Sequence, residues 1–125
     1  MLEIDNGQRL MDELWESTGS KVELRESVRR AFLSASGPGP QYYDNQRSYH
    51  RYFMRGKAVL KRGESLHGTY TKDVSRQGIG FLSPVPLLPK ERVKLRVVAA
   101  ELSLEVTRCR RIDAVCFECG ARFAM

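Results

Sequence analysis

Five residues in two short motifs carry groups that could recognise a guanine nucleotide. Arg51 and Arg55 form an Arg-x-x-x-Arg motif, and Asp73, Ser75 and Gly78 form an Asp-x-Ser-x-x-Gly motif. A guanidinium donates two parallel hydrogen bonds to guanine O6 and N7, and it also neutralises phosphate. A carboxylate accepts from guanine N1–H and N2–H, an edge that adenine does not offer. The combination predicts a site for an anionic guanine ligand.

The spacing of these residues supports a single site. Residues four apart lie on the same side of a strand or a helix, so Arg51 and Arg55 can converge on one ligand. Ser75 adds a hydroxyl that can donate or accept. Gly78 has no Cβ, which lets a turn close tightly and lets the backbone approach a purine. Two nearby arginines are additional candidates for phosphate contacts, Arg47 and Arg76.

The chain after residue 56 reads as a series of short strands. Apolar residues alternate with polar ones, and glycine- or proline-containing turns separate the runs. The prolines between Pro84 and Pro89 predict a surface loop, because proline cannot donate to a central ladder. We therefore expect an all-β fold of about six strands. The expected strands are Lys57–Lys61, His67–Asp73, Gly78–Leu82, Arg92–Val98, the run containing Leu102, Leu104 and Val106, and the run from Val115 to Phe123.

The first part of the chain reads as helical. Leu10, Met11, Leu14 and Trp15 recur at helical spacing, and Ser20 to Glu23 has the spacing of a capping box that would begin a second helix. The apolar stripes of these helices could pack on the chain's own barrel or on a partner protein. Residues 34–40 are rich in Gly, Pro and Ser and read as a linker. We expect a helical extension and linker over residues 1–38 and a barrel with an amino-terminal arginine arm over residues 39–125.

The two motifs and the strand between them closely resemble the signature of PilZ domains, small β-barrels that bind the bacterial second messenger cyclic di-GMP. The resemblance covers about residues 46–123. It implies a mainly β protein, a six-stranded antiparallel barrel with an amino-terminal helical extension, which acts as a non-catalytic signalling module without a cofactor. It also implies a protein partner downstream. The matching positions for the nucleotide are Arg51, Arg55, Asp73, Ser75 and Gly78.

The carboxy terminus and the residue before Arg51 both bear on how closely the chain follows the family pattern. Many PilZ domains continue into a carboxy-terminal helix, whereas this chain ends directly after the last predicted strand, so the amino-terminal helices or a partner would cover that end of the barrel. His50 precedes Arg51, a position that bears on whether one ligand or an intercalated pair binds. The number of bound ligands stays open.

The charge distribution favours an anionic partner. The net charge is +6, and the basic residues concentrate after residue 45. Cyclic di-GMP is one such partner. Two alternatives are a small basic barrel that binds single-stranded nucleic acid through exposed aromatic residues, and a PilZ-like protein-interaction domain that has lost nucleotide binding.

The arginine arm could act as a switch that becomes ordered when a ligand binds. Arg47, Arg51 and Arg55 repel one another, so we expect residues 39–55 to be disordered until an anion binds. Ordering of this arm would then move the helical extension.

Other chemistry finds little support in the sequence. No nucleophile motif accompanies the histidines, so we expect no enzymatic activity. Cys116 and Cys119 point to opposite faces of an extended strand, which argues against a zinc site. We expect Cys119 in the core and Cys116 facing solvent. The sequence has no long apolar run and no secretory signal, and this favours a cytoplasmic protein with reduced thiols.

Overall fold

A computed structural model describes the backbone of residues 2–38 and 51–124, with side chains described for residues 7–36 and 51–124. Arg47, His50 and most of the predicted arginine arm lie outside these residues. Two helices and two short strands precede six longer strands. In chain order the elements are α1 (Leu2–Glu16), β1 (Ser20–Lys21), α2 (Glu26–Ser34), β2 (Gly37–Pro38), β3 (Tyr52–Arg62), β4 (Ser65–Val74), β5 (Gly78–Ser83), β6 (Arg92–Arg96), β7 (Glu101–Asp113) and β8 (Cys116–Phe123).

The six longer strands form a closed antiparallel barrel. Their order around the barrel is β4-β5-β8-β7-β6-β3, and pairing between β3 and β4 closes the sheet. The short strand β1 adds to β4 in parallel, and β2 adds to β3 in antiparallel orientation. The expected six-stranded barrel with an amino-terminal helical extension is therefore confirmed. The division of the chain at residues 38 and 39 stays a prediction.

The barrel interior is filled by the apolar residues that alternate along each strand. On β6, Val93 and Leu95 are buried between exposed charged neighbours, as the sequence alternation predicts. Pro84 to Pro89 forms the expected loop between β5 and β6, and Leu87 from this loop closes over the core. The largest completely buried side chains of this interior are Leu60, Ile79, Phe81, Leu95, Leu104 and Val106.

A second apolar cluster lies outside the barrel, beneath the amino-terminal segment. Val59, Tyr70 and Leu82 point away from the interior, and they pack against Met11 and Trp15 of α1. Strand β5 is consequently buried at every position. The apolar face of α1 thus packs on the chain's own barrel, although Leu10 remains 64% exposed.

The prediction for the exposure of Cys116 is wrong. We expected it to face solvent, but it is completely buried in the outer cluster. The alternation placed Cys116 correctly on the outer face of β8. That face is covered by the amino-terminal segment, which a reading of the strand alone could not show.

Trp15 anchors α1 to the barrel. Its indole Nε1 donates to the Thr69 carbonyl oxygen at 2.8 Å, so its buried polar atom is satisfied. A Cβ on Gly68 would lie 2.9 Å from the Trp15 ring, which makes glycine the residue that admits the indole. Lys57 of β3 pairs with Asp12 at 3.4 Å and lies over the same ring. The helix is therefore fixed by packing, a hydrogen bond and a charge pair together.

The predicted start of the second helix at Ser20 is wrong. Ser20 and Lys21 form β1 instead, where Ser20 pairs with His67, and the Val22 N–H donates to the Gly68 carbonyl at 2.8 Å. The helix α2 begins only at Glu26. The edge of β4 offers partners for these backbone groups, and this tertiary pairing outweighs the local capping preference.

Within the described chain, no helix combines the length and the apolar composition that crossing a membrane requires.

Candidate functional site

The Asp-x-Ser-x-x-Gly motif spans the end of β4 and the turn into β5. The Ser75 N–H donates to the Gly78 carbonyl at 2.9 Å, and the Ser75 hydroxyl oxygen accepts from the amides of Gln77 and Gly78 at 3.2 and 3.3 Å. Ser75 therefore holds this turn in shape. Its hydroxyl hydrogen can still be donated to a ligand. Arg76 lies exposed in the same turn.

Gly78 is required by the barrel wall. A Cβ at this position would collide with the carbonyl oxygen of Ala121 on the neighbouring strand β8. The φ of Gly78 is not in the left-handed region, so the backbone conformation does not itself require glycine here. The glycine permits the close approach of β5 and β8 next to the turn.

Asp73 lies at an irregularity in the pairing of β4 and β5, where its partner is Gly80. A Cβ on Gly80 would lie 2.5 Å from Asp73 Oδ1, so Gly80 leaves the space that the carboxylate occupies. Arg51 Nη1 donates to Asp73 Oδ1 at 3.0 Å. The Asp73 side chain is only 12% exposed, and this pairing offsets the cost of its burial. Gly80 was missed from the sequence, although a glycine inside a strand signals such a close approach.

Arg55 belongs to strand β3 and not to a disordered arm. Its Nε donates to the Lys72 carbonyl at 2.8 Å, so the backbone of β4 fixes its position. The prediction of a disordered arm is therefore wrong for residues 52–55, which form the first part of β3. Pairing of β3 with β4 supplies the order that charge repulsion was expected to prevent.

The Arg55 guanidinium is enclosed by two aromatic rings. Its Cζ lies 3.9 Å from the centre of the Phe32 ring and 4.5 Å from that of Phe53. Its Nη1 also donates to the Phe32 carbonyl at 3.1 Å. Burial lowers the pKa of Arg55, while the carboxylates of Asp73 and Glu118 act in the opposite direction. The side chain remains a cation near neutral pH. Phe32 lies on α2, and neither sequence motif indicates that it belongs to the site.

The structure thus gathers the five motif residues at one corner of the barrel. Arg51 and Arg55 both reach the last residues of β4, one through a side chain and the other through the backbone. Ser75 and Gly78 form the adjoining turn. A carboxylate, two guanidiniums and a hydroxyl therefore lie within one region, beside a turn whose glycine packs against β8.

The cysteines do not form a comparable site. Cys119 lies in the core as predicted, and its Sγ is 3.3 Å from that of Cys109 without a disulfide. Burial raises the pKa of Cys119, and burial raises the pKa of Cys116 to about 11. Among the described residues, no group of three or more His, Cys, Asp and Glu side chains could hold a metal ion.

Comparison with known families agrees with this geometry. The PilZ domain family matches residues 45–125, a region that contains the whole barrel and both motifs. The chain belongs to the PilZ domain family. PilZ domains are generally cyclic di-GMP receptors without catalytic activity of their own. No curated protein matches the sequence.

Proposed function

We propose that this protein binds cyclic di-GMP at the corner formed by Arg51, Arg55 and Asp73 and passes the signal on without catalysis. The observation that carries the proposal is the convergence of both arginines on the end of β4 beside the Asp73 carboxylate. The ligand carries two guanines and two phosphodiester charges. A site with fixed cations beside a fixed carboxylate complements both parts of it.

Each group has a separate task in the proposed complex. Arg51 and Arg55 donate to the phosphates or to guanine O6 and N7, and Asp73 accepts from guanine N1–H and N2–H. Ser75 donates its hydroxyl hydrogen, while Gly78 lets β5 approach β8 and so sets the position of the turn beside the ligand. Two further arginines stay candidates for phosphate contacts: Arg76 in the turn, and Arg47, four residues before Arg51 in the sequence.

Binding can leave the ion pair between Arg51 and Asp73 in place. Arg51 now pairs with Asp73, and one carboxylate oxygen is sufficient for that bond. The second oxygen can accept from the ligand. Because the present pair is only partly exposed, it holds the carboxylate in place before the ligand arrives.

The signal would pass through Arg55 to α2. A guanine base presents a flat π-face, and it can replace the Phe32 ring against the Arg55 guanidinium. Helix α2 has no fully buried residue, so its packing on the barrel is weak and can be exchanged. Displacement of α2 would uncover Phe32 and Leu33, two residues that pack against the outer cluster in the present structure. A protein partner could then bind this apolar surface.

Nucleic-acid binding is less well supported by the structure. Stacking of single-stranded bases requires exposed aromatic rings on neighbouring strands. Tyr70 and Phe81 are buried, and among the described aromatic residues only Tyr52 is largely exposed.

Calorimetric titration separates these two functions. The full-length protein is titrated with cyclic di-GMP and, in parallel, with a short single-stranded oligonucleotide of matched charge. Saturable binding of the dinucleotide with little heat from the oligonucleotide supports the proposal. The reverse pattern would replace it with the nucleic-acid function.

A further inference from the structure

The outer surface of the barrel beside Asp73 contains two neighbouring glycines, which have no side chains. Gly80 on β5 pairs with Gly120 on β8, and the two glycines lie directly opposite each other on the outer face. Neither has a positive φ, so the backbone conformation does not demand glycine at either place. We call this pair the glycine floor.

Each glycine leaves space for a charged side chain. The Asp73 carboxylate lies over Gly80, with Oδ1 2.5 Å from the position of a Cβ there. Arg108 of β7 pairs with Gly120, and its Nε lies 2.9 Å from the position of a Cβ there. The glycine floor therefore lets a carboxylate and a guanidinium lie flat against the barrel from opposite sides.

The upper limit on the distance between these two charged groups leaves room for one flat base between them. Opposite Cβ positions on paired strands are about 5 Å apart, so Asp73 Oδ1 and Arg108 Nε are separated by at most roughly 10 Å. A guanine with hydrogen bonds at its Watson–Crick edge and at its neighbouring N7 and O6 edge can bridge such a gap. The Watson–Crick edge would face Asp73, and N7 and O6 would face Arg108.

Arg108 differs from the other arginines nearby. Arg110 pairs with Glu118 at 3.1 Å, and Arg122 pairs with Glu105 at 2.8 Å. Within residues 7–36 and 51–124, the side chain of Arg108 forms no hydrogen bond or ion pair, although it lies close enough to Glu118 to influence the pKa of that carboxyl group. Its donors are therefore available to a ligand.

We propose that Arg108 is a further ligand-binding residue, which reads the N7 and O6 edge of a guanine lying on the glycine floor. The inference rests on the proposed binding of cyclic di-GMP and adds a base-reading contact outside the two motifs. Arg51 and Arg55 would then serve the phosphates and the second guanine.

The test combines a substitution with a modified ligand. Wild type, Arg108→Gln and the matched control Arg110→Gln are titrated with cyclic di-GMP and with its 7-deazaguanine analogue, which lacks the N7 acceptor. Arg110 lies on the same face of the same strand and is 73% exposed, so its substitution removes the same charge nearby.

We expect Arg108→Gln to weaken cyclic di-GMP binding about tenfold or more, and Arg110→Gln to change it by less than about threefold. The 7-deaza analogue should bind wild type more weakly than cyclic di-GMP does, and this difference should disappear in Arg108→Gln. An undiminished difference in Arg108→Gln, or unchanged affinity of that variant, would overturn the assignment. Absence of binding to wild type would instead refute the proposed function itself.

Discussion

The Arg55 guanidinium of β3 donates a hydrogen bond to the carbonyl oxygen of Phe32 in α2 and lies 3.9 Å from the centre of its ring. A residue proposed to bind the ligand is therefore also a residue that holds a helix on the barrel. Any ligand that stacks on Arg55 must compete with Phe32. This competition connects the binding site to the amino-terminal segment without a longer pathway.

Phe32→Ala should raise the affinity for cyclic di-GMP about threefold to tenfold, because the ligand no longer displaces an aromatic ring from Arg55. Val28→Ala is the matched control, since Val28 lies on the same helix and is 51% exposed. Calorimetry on both variants gives the comparison. A loss of affinity in Phe32→Ala would mean that Phe32 belongs to the binding site and does not compete with the ligand.

Two glycines of β5 should respond differently to alanine. Gly78→Ala places a Cβ against the Ala121 carbonyl, a backbone atom that cannot move alone, so we expect a loss of stability of about 1–3 kcal/mol. Gly80→Ala meets the flexible end of Asp73, so the fold should persist while ligand affinity falls about tenfold or more. Thermal melting and calorimetry measure both effects. Equal stability losses with unchanged binding in Gly80→Ala would show that the position of Asp73 does not matter for the ligand.

His67 predicts a dependence of stability on pH. Burial, assisted by the charge of Arg62, lowers the pKa of His67 in the folded protein, so the unfolded chain binds this proton more readily. The contribution of His67 to the free energy of unfolding is therefore present above the unfolded pKa of about 6.5. It is lost as the pH falls below that value. Protonation also affects the hydrogen bond between Ser20 and His67 Nδ1 that helps to join β1 to β4.

The melting temperature should therefore fall between pH 7.5 and pH 5.5, and the fall should be smaller in His67→Gln. His50→Gln is the control, because the sequence contains only these two histidines. An identical pH profile for wild type and His67→Gln would exclude this histidine as the cause.

Asp73→Ala should reduce the preference for cyclic di-GMP over cyclic di-AMP. The carboxylate accepts from N1–H and N2–H of guanine, and adenine offers no equivalent pair of donors. Competition between the two dinucleotides measures the preference in the variant and in wild type. If the variant rejects cyclic di-AMP as strongly as wild type does, Asp73 does not read the base.

The barrel could be predicted from the sequence because each strand carries its own alternating pattern. Val93 and Leu95 lie in the core as their spacing indicates, and the prolines after Pro84 lie in a loop. The exposure of Cys116 could not be predicted in this way, since it depends on a helix that packs from a distant part of the chain.

The contacts of the candidate site were equally difficult to predict from the sequence. Its motif residues could be recognised from type and spacing, whereas their present partners could not. Phe32 lies on α2, which follows β1 and begins six residues later than the predicted start at Ser20. That arrangement depends on tertiary hydrogen bonds at a strand edge, which local propensity does not encode.

The most direct measurement is a titration of cyclic di-GMP into wild type, Arg51→Ala, Arg55→Ala and the control Arg30→Ala. Arg30 lies on α2 with its side chain 83% exposed, so its loss removes a charge without touching the site. The account predicts that Arg51→Ala and Arg55→Ala each lose at least about tenfold in affinity, close to 1.4 kcal/mol, because each removes a charge-assisted contact. Arg30→Ala should bind like wild type. Unchanged affinity in both Arg51→Ala and Arg55→Ala would contradict the proposed site.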